Sequence, residues 1–488
     1  YGVAILGLDG TPSTITNDTN FLNTDFVQFG DADPTVSVPS GRIDPGSPVP
    51  AVFEFSAGLD TTATGTTVVA GTLQTADAQM DLGETVMLAD VTLLTGDGAM
   101  NVASINDLLQ DFALALQDTD ATGTVTIGQF DLNQIDATAG AYDVVLTENG
   151  DVDADTIFLN TGDVTIGDDT TDFFNFNGGL DTTQGPATTF VAGTIQTFDT
   201  RMDLGETVLT QDAQLITNAG LMFVESVEDD GLDRTLTIQD GDPSGSVAIG
   251  QAGLTSSRIG ALATSFSAVG YDIALEGDWS VENSSLTGGT DFTNAGTARL
   301  GGDVNDTLTF ANGVDTTGAA TTETIGTIVV DPVLVMAPTL EFGATTLVGD
   351  TALVHAGAAG SELTLGTVAS TLGTETLDLL ATDAAVEIAS ITSLGTLNVT
   401  NAASFTVTGA ASVADLVDLN ATTGGSFAFD GALTTARLET NDADDGNDVF
   451  ALALNGGATI TDPVTLDNAG DLVLGNGVGG DDLLVFTG

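Results

Sequence analysis

The sequence predicts an all-β protein, a parallel β-solenoid built from three tandem repeat units, and three observations predict it. Apolar Val, Leu, Ile and Phe alternate with Thr and Asp along most of the 488 residues, which is the period-two pattern of β-strands. A long phrase at residues 53–86 recurs at 174–208 and, more loosely, from 308. Between 363 and 440 there is a shorter period of about 20 residues. Repeats of this kind stack into coils, in which each strand pairs with its equivalent one coil along.

The long phrase divides most of the chain into three repeat units, 53–173, 174–307 and 308–488. The offset between the first two units is a constant 122 residues from Val69 to Gln129, so that GTVTIGQ at 123 falls on GSVAIGQ at 245. Further on, AYDVVL at 141 corresponds to GYDIAL at 270. We expect the shared apolar residues of the phrase to occupy equivalent core positions; these are Met80, Leu82 and Val86 in unit one and Met202, Leu204 and Val208 in unit two.

Residues 1–52 differ from the rest of the chain. After the apolar YGVAILGL they hold five of the eleven prolines, Pro34, Pro39, Pro45, Pro48 and Pro50. Proline has no N–H to donate to a β-ladder and therefore stops a sheet from propagating. This segment is predicted to be an N-terminal arm or cap.

One stretch of unit one has apolar residues at helical spacing, SINDLLQDFALALQD at 104–118. Its equivalent in unit two, SVEDDGLDRTLTIQD, contains Gly231 and the alternating RTLTIQD, which is typical of a strand. We therefore predict that FALALQD is also a strand.

The fine period is clearest where short apolar pairs recur and Leu377, Leu397 and Val417 follow one another at intervals of 20 residues. The pairs are Leu377/Leu379, Val386/Ile388, Leu397/Val399, Phe405/Val407, Leu416/Leu419 and Phe427/Phe429. At about 20 residues per coil the region from 53 onwards predicts roughly 22 coils, stacked about 4.8 Å apart into a rod on the order of 100 Å long. We expect the coil to be right-handed from the resemblance described below.

The composition restricts the class of partner. There are 70 Asp and Glu residues against six Arg and no Lys, giving a formal net charge of -64. Such a charge excludes nucleic acid as a partner and attracts divalent cations, of which Ca²⁺ is the one favoured by carboxylate oxygen. Cysteine is absent, and no apolar run approaches the roughly 18 residues of a membrane-spanning helix, so no transmembrane segment is predicted.

Four clusters of acidic residues are candidate Ca²⁺ sites, because Asp alternating with Gly lets several carboxylates and carbonyls converge on one ion. An equally good interpretation of each cluster is an Asp-rich solvated turn. The clusters are Asp151, Asp153 and Asp155; Asp168, Asp169 and Asp172; Asp303, Asn305 and Asp306; and Asp442, Asp444, Asp445 and Asp448.

No catalytic constellation stands out. With neither Cys nor Lys, and with His355 as the single histidine, the usual pairings of nucleophile and base are almost absent from the chain. His355 lies in the strand-like TALVHAG and is predicted to be structural or surface-exposed. GNGVGG at 475–480 has the spacing of a dinucleotide-binding loop, but no helix follows it, so we reject that interpretation. We predict that the protein is not an enzyme.

Three phrases carry a resemblance to a known family: DFTNAGTARLGGDVNDTLTF at 291–310, FGATTLVGDTALVHAG from 342 and LGTLNVTNAASFTVTGA from 394. They resemble the strand repeats of right-handed parallel β-helices in filamentous-haemagglutinin-like and autotransporter-type surface proteins. The resemblance covers most of 53–488. It implies the β-helical fold and a location at the cell surface or outside the cell.

The first functional hypothesis is a secreted structural subunit of an extracellular filament, sheath or surface layer, stabilised by calcium. The chain breaks off at LLVFTG, residues 483–488, where other units continue into GLDTT, so a head-to-tail homopolymer is expected in which the apolar YGVAILGL covers the unfinished coil. The alternative is a β-helical adhesin, for which surface glycans are the expected partner. The third hypothesis is a polysaccharide-active β-helix enzyme, which the single Trp and three Tyr do not favour.

Overall fold

The computed structural model shows an all-β protein, with no helix among the residues it describes. Those residues are 1–5, 12–30, 51–96, 98–118, 122–253, 255–264, 270–282, 289–331, 338–355, 360–421, 424–440, 449–464, 466, 468–475 and 483–487. The all-β class predicted from the sequence is therefore confirmed.

Parallel pairing between successive turns defines the fold as a parallel β-solenoid, with about 18 turns in all. Leu377 lies opposite Leu397, and Leu397 lies opposite Val417, as the spacing of 20 residues predicts. The estimate of roughly 22 turns is too high because many turns are longer. One turn separates Ile273 from Ala298 and another separates Trp279 from Leu308.

The chain divides into two compact units, Tyr1–Glu225 and Ser226–Gly488. This division does not coincide with the boundaries predicted at 173/174 and 307/308. The strands of the first unit are β1 (Val3–Ile5), β2 (Ser13–Ile15), β3 (Thr19–Asn20), β4 (Phe26–Phe29), β5 (Val52–Phe55), β6 (Leu59–Asp60), β7 (Thr66–Thr75), β8 (Met80–Thr95), β9 (Met100–Asn106), β10 (Ala113–Asp118), β11 (Thr124–Leu132), β12 (Gln134–Ala137), β13 (Asp143–Leu146), β14 (Asn149–Val152), β15 (Thr156–Ile157), β16 (Val164–Ile166), β17 (Phe173–Phe176), β18 (Leu180–Asp181), β19 (Thr189–Thr197) and β20 (Met202–Thr217).

The boundary between Glu225 and Ser226 lies within β21 (Leu221–Asp229). The later strands belong to the second unit. They are β22 (Thr235–Asp240), β23 (Ser246–Ile249), β24 (Ser256–Ile259), β25 (Ala261–Thr264), β26 (Asp272–Leu275), β27 (Asp278–Val281), β28 (Thr290–Asp291), β29 (Thr297–Leu300), β30 (Thr307–Ala311), β31 (Gly313–Asp315), β32 (Thr321–Asp331), β33 (Thr339–Phe342), β34 (Thr345–His355), β35 (Glu362–Ser370), β36 (Thr376–Ala381), β37 (Ala385–Thr400), β38 (Ser404–Val407), β39 (Ala411–Asn420), β40 (Gly425–Phe429), β41 (Leu433–Thr435), β42 (Arg437–Glu439), β43 (Phe450–Leu454), β44 (Ala458–Ile460), β45 (Leu472–Leu474) and β46 (Leu484–Phe486).

The described residues of the predicted N-terminal arm or cap form strands β1 to β4. Strand β1 pairs in parallel with β4, and β4 pairs with β7, which lies beyond residue 52. This part of the segment therefore belongs to the solenoid. The five prolines on which the prediction of an arm depended all lie outside the described residues.

The stretch with helical spacing is a turn followed by a strand, as its equivalent in unit two predicts. Strand β10 buries Leu114 and Leu116 completely and turns the intervening side chains outward. The turn before it holds Leu108 and Leu109 at positive φ angles of 58° and 62°, a conformation that ends regular structure for most residues. In unit two the equivalent strand, β22, has the same burial pattern.

The predicted core positions of the long phrase are confirmed except at Val208. Met80, Leu82, Met202 and Leu204 are at most 1% exposed, and Val86 is 9% exposed in a buried cluster, but Val208 is only half-buried. The inward positions in this part of the phrase belong instead to the preceding threonines and the residues after the valines. They are Thr85 and Met87 in the first copy and Thr207 and Leu209 in the second.

The apolar pairs between 363 and 440 also face inward, with one correction. The strand around Leu416 buries Val417 and Leu419, whereas Leu416 is half-buried, so the inward pair is 417/419. This pattern agrees with the register of Leu397 opposite Val417, because equivalent positions on paired parallel strands face the same way.

A glycine at a positive φ angle marks the same β-bulge in three places. Gly71, Gly193 and Gly326 have φ angles of 97°, 71° and 85°, and the strand register shifts immediately before each. A Cβ at Gly193 would lie 2.4 Å from the carbonyl oxygen of Asp172, and one at Gly326 would lie 2.6 Å from that of Asp306. The bulge therefore needs glycine for both backbone conformation and space.

Candidate functional site

The GLDTT phrase forms a hydrogen-bonded corner that recurs three times. Asp60 Oδ1 accepts hydrogen bonds from the backbone N–H and the hydroxyl of Thr62, at 2.9 and 2.7 Å. Asp181 and Asp315 accept the same two bonds from the second residue after each. Behind each aspartate a buried threonine pairs with another: Thr61 with Thr67, Thr182 with Thr189 and Thr316 with Thr322, at 2.7, 2.8 and 2.5 Å. These aspartates are therefore part of the scaffold.

The first predicted Ca²⁺ cluster is hydrogen-bonded to the next turn of the solenoid. Asn177 Nδ2 donates to Asp151 Oδ1 and to Asp153 Oδ1, at 2.9 and 3.0 Å. Asn175 Nδ2 donates to Asp151 Oδ2 at 2.9 Å. Asp155 is exposed and lines a groove described below.

In the second cluster, Asp172 points away from solvent. Its Oδ2 accepts hydrogen bonds from the backbone N–H groups of Asp168 and Asp169, at 2.9 and 3.0 Å. Burial, followed by the charge of Asp172, raises the pKa of Asp168. The hydrogen bonds from Thr171 lower the pKa of Asp169. The cluster is thus a turn closed on its own aspartate.

The third cluster repeats this arrangement around Asp306, which is 1% exposed. Asp306 Oδ2 accepts hydrogen bonds from the backbone N–H groups of Gly302, Asp303 and Gly277, at 2.8, 2.9 and 3.0 Å, and Oδ1 accepts one from Gly253 at 2.7 Å. N–H groups aimed at both oxygens occupy the directions from which a cation would approach. Asn305 lies in the exposed turn and donates to Asp303 Oδ1 at 2.5 Å.

The fourth cluster, Asp442, Asp444, Asp445 and Asp448, lies outside the described residues. Among the described residues, no three His, Asp or Glu side chains converge in an arrangement that could hold a metal ion.

Carboxylates also stack in register on the outward face of the second unit. Asp291, Asp315 and Glu341 lie opposite one another on the adjacent strands β28, β31 and β33. Burial first, and then the charge of Asp315, raises the pKa of Asp291 and of Glu341, and Glu362 also contributes to the rise at Glu341. This carboxylate ladder is a like-charge contact between neighbouring strands.

His355 is structural, one of the two alternatives that the sequence left open. It is 0% exposed at the end of β34, and its Nε2 lies 3.0 Å from the carbonyl oxygen of Pro338. Burial lowers its pKa, which keeps the imidazole neutral near pH 7.

Among the described residues, grooves open on the outward faces of the solenoid, and two of them are defined by their lining residues. The first has a volume of about 460 Å³ and belongs to the first unit; it is lined by Ala115, Gln134, Asp136, Ala137, Thr138, Asp155, Ile157, Leu159 and Gln184. The second has a volume of about 200 Å³ and belongs to the second unit; it is lined by Glu362, Thr364, Ala385, Val386, Glu387, Ser404 and Thr406. The first groove has an apolar floor, whereas the second is mostly polar.

Sequence reasoning missed the first groove. The available signal was the run Ile157–Phe158–Leu159, in which three successive apolar residues break the alternation of polar and apolar side chains. Phe158 is 0% exposed, so the residues on either side of it face outward, and Leu159 is 42% exposed. A break in the alternation therefore marks apolar side chains on an otherwise polar face.

Comparison with protein-family models, with curated proteins and with solved structures finds no match to this chain. The described residues include no helix of the length and hydropathy needed to cross a membrane.

Proposed function

We propose that this chain is a structural β-solenoid subunit of an extracellular filament, sheath or surface layer, which associates with further copies of itself through the exposed strands β45 and β46.

The exposed strands β45 and β46 carry this proposal. Strand β45 pairs with β43, and β46 pairs with β44. Leu452 and Leu454 are 0% exposed, but the residues opposite them on β45, Leu472 and Leu474, are 45% and 47% exposed. Phe486, opposite the fully buried Ile460, is 49% exposed.

These apolar side chains are exposed among the residues that the structure describes. An exposed cluster of apolar side chains is a surface that a second copy of the chain can cover. Complete burial of a leucine or phenylalanine side chain is worth about 1.5–3 kcal/mol, so covering the half that is exposed contributes substantially at each position. Contact between two different surfaces generates an open assembly unless its rotation closes a ring.

Sedimentation velocity tests the proposed association. The variant Leu484→Lys with Phe486→Lys places two charges on β46, and the matched control, Leu232→Lys with Leu372→Lys, changes leucines that are 65% and 80% exposed elsewhere. We expect concentration-dependent association of the wild type and the control, and loss of it in the β46 variant with an unchanged melting temperature. Association of the β46 variant like the wild type, or a wild type that stays monomeric with calcium present, contradicts the proposal.

Other features of the proposal have separate support. The extracellular location is inferred from the resemblance of the strand repeats to filamentous-haemagglutinin-like and autotransporter-type proteins, as is a right-handed coil. Three repeat units are supported by the three recurrences of the GLDTT corner and of the glycine bulge.

Stabilisation by calcium is supported by the charge of -64 and by the carboxylate ladder, where a divalent ion would screen like charges.

The groove in the first unit favours a second candidate, a binding protein of the adhesin class. Carboxylate, amide and hydroxyl groups line it around an apolar floor, which is the composition of a ligand-binding groove. Binding of surface glycans, measured on a glycan array with the groove variants described below, distinguishes this candidate. The enzyme alternative is tested by a turnover screen on acidic and neutral polysaccharides.

A further inference from the structure

The groove of the first unit combines outward-facing apolar side chains with two carboxylates. We propose that it binds a linear aliphatic polyamine, a cation whose charges lie at the ends and along the length of an alkyl chain.

The floor is formed by outward-facing side chains of three successive turns. Ala115 on β10 lies opposite Asp136 on β12. On the next turn, Phe158 forms a parallel bridge with Ala137. Ile157 therefore lies next to Asp136, and Leu159 lies two residues after Ile157 on the same turn. Ile157 is half-buried and Leu159 is 42% exposed. An alkyl chain lying across this floor would remove both side chains from water.

Two carboxylates carry the charge. Asp136 lies in the row between Ala115 and Ile157; it is half-buried and held in place by Gln134, whose Nε2 donates to Asp136 Oδ1 at 2.6 Å. Asp155, from the next turn, is exposed. No basic side chain is among the lining residues of this described groove. The guanidinium group of Arg201, outside the lining, is bound to Asp203, with Nε 2.6 Å from Oδ1.

Other classes of ligand fit less well. A chain with a net charge of -64 repels anions. A bare divalent ion gains nothing from the isoleucine and leucine of the floor. A neutral sugar ring stacks best on aromatic side chains, and none lines the groove. A basic peptide shares the chemistry of a polyamine but needs a longer track of acidic residues, so it is treated as an outcome of the test.

Isothermal titration calorimetry at fixed ionic strength tests the proposal, with 1,4-diaminobutane and spermidine as probes. Mg²⁺ serves as the competitor, because it has the same charge as the diamine but no alkyl chain. The groove variants are Asp136→Asn with Asp155→Asn, and Ile157→Thr. The matched control is Glu362→Gln with Glu387→Gln, which removes two carboxylates from the second groove, where the floor is polar. Melting temperatures check that each variant folds.

We expect one amine site per chain, weakened about tenfold by the aspartate variant, weakened several-fold by Ile157→Thr, unaffected by the control, and poorly displaced by Mg²⁺. Equal loss in both double variants, or displacement by Mg²⁺ at equal concentration, would show diffuse counterion binding and overturn the proposal. Binding of neutral oligosaccharides or basic peptides at this groove, without binding of the amines, also overturns it.

Discussion

Asp107 and Asp229 brace the same turn in two repeat units, 122 residues apart. Asp107 Oδ1 accepts the backbone N–H of Leu109 at 3.0 Å, and Asp229 Oδ1 accepts that of Gly231 at 2.9 Å. Asp107 Oδ2 also accepts the backbone N–H of Phe112, and Asp229 Oδ2 accepts that of Arg234. Each of these donors lies three residues after the first donor. The turn is conserved between the units although its sequence is not, so the two carboxylates are scaffold residues.

A buried glutamate should make stability depend on pH. Glu375, 5% exposed, accepts backbone N–H bonds from Leu372 and Thr374, each at 3.0 Å. Burial acts to raise its pKa, but the hydrogen bonds that its carboxylate accepts outweigh burial and lower the pKa to about 2. A depressed folded-state pKa contributes stability above the unfolded value and loses it as the pH falls through the folded value.

We therefore expect Glu375→Gln to lower the free energy of unfolding by about 1–3 kcal/mol at pH 7, because the amide places donors against N–H groups. The difference from the wild type should shrink as the pH falls from 4.5 towards 2. Urea titrations at several pH values measure it, with the exposed Glu387→Gln as control. An equal loss for both variants, or no dependence on pH, contradicts this role.

A glycine in the core is matched to an aromatic ring. Gly150 is buried on β14 opposite Phe130, and a Cβ there would lie 1.9 Å from the Phe130 ring. Phe174, opposite Gly150 on the other side, has its ring centroid 5.9 Å from that of Phe130. The two rings thus meet over the space that the glycine leaves.

Gly150→Ala should destabilise the protein by about 1–3 kcal/mol through overpacking. Adding Phe130→Leu should restore part of this loss, because the smaller side chain makes room for the methyl group. The control is Gly343→Ala, where the nearest atom to the added Cβ lies at 3.6 Å. Thermal denaturation of the wild type, Gly150→Ala, Phe130→Leu and the double variant measures the coupling. Simple additivity of the two core changes would show that the ring and the glycine are not matched.

Substitution of Asp306 and of Asp172, whose carboxylates accept backbone N–H bonds, distinguishes a structural role from a metal-binding role. Asp306→Asn should lower stability by about 1–3 kcal/mol, because one oxygen that accepts N–H bonds becomes a donor, and Asp172→Asn should act in the same direction. The loss should be equal with millimolar calcium and with chelator. If either variant instead abolishes a calcium-dependent rise of the melting temperature seen in the wild type, that aspartate is a metal ligand.

Removing charge from the carboxylate ladder should stabilise the protein at neutral pH. Asp291 and Glu341 have raised pKa values in the folded state, so the folded protein takes up protons before the unfolded chain does and gains stability as the pH falls through those values. Asp291→Asn with Glu341→Gln should thus raise stability by about 0.2–1 kcal/mol at pH 7.

This gain should shrink as the pH falls through the raised pKa values of Asp291 and Glu341, because the wild-type ladder then takes up protons. Chemical denaturation at pH 7 and pH 4 measures the gain. Glu84→Gln is the control, since Glu84 lies opposite Ser104 instead of another acid. A ladder variant that is less stable than the wild type at pH 7 would mean that the stacked carboxylates hold an unrecognised partner.

The fold could be predicted from the sequence because the spacing between equivalent apolar residues equals the number of residues in one turn of the solenoid. Leu377, Leu397 and Val417 recur in step, and they lie opposite one another. Val208 was misplaced because Thr207, 1% exposed, takes the inward position by bonding its hydroxyl to the carbonyl oxygen of Gly205. Hydropathy alone assigns a threonine in a strand to the solvent-facing side, so it cannot identify a threonine that faces the core.

The acidic sites could not be interpreted from sequence because the direction of a carboxylate does not depend on its neighbours along the chain. Asp169 and Asp172 lie three residues apart, yet Asp169 bonds within an exposed turn and Asp172 turns inward to backbone N–H groups. The groove was missed because it is assembled from three turns, and only the run at Ile157 signals it.

The central claim is that copies of this chain associate through the exposed apolar side chains of β45 and β46. Electron microscopy of the purified protein with calcium present tests it most directly. The account predicts assemblies of many copies joined end to end, which are absent from the variant with Leu484→Lys and Phe486→Lys and kept in the control with Leu232→Lys and Leu372→Lys. Separate single particles of the wild type at every concentration, or identical assemblies in the β46 variant, would contradict it.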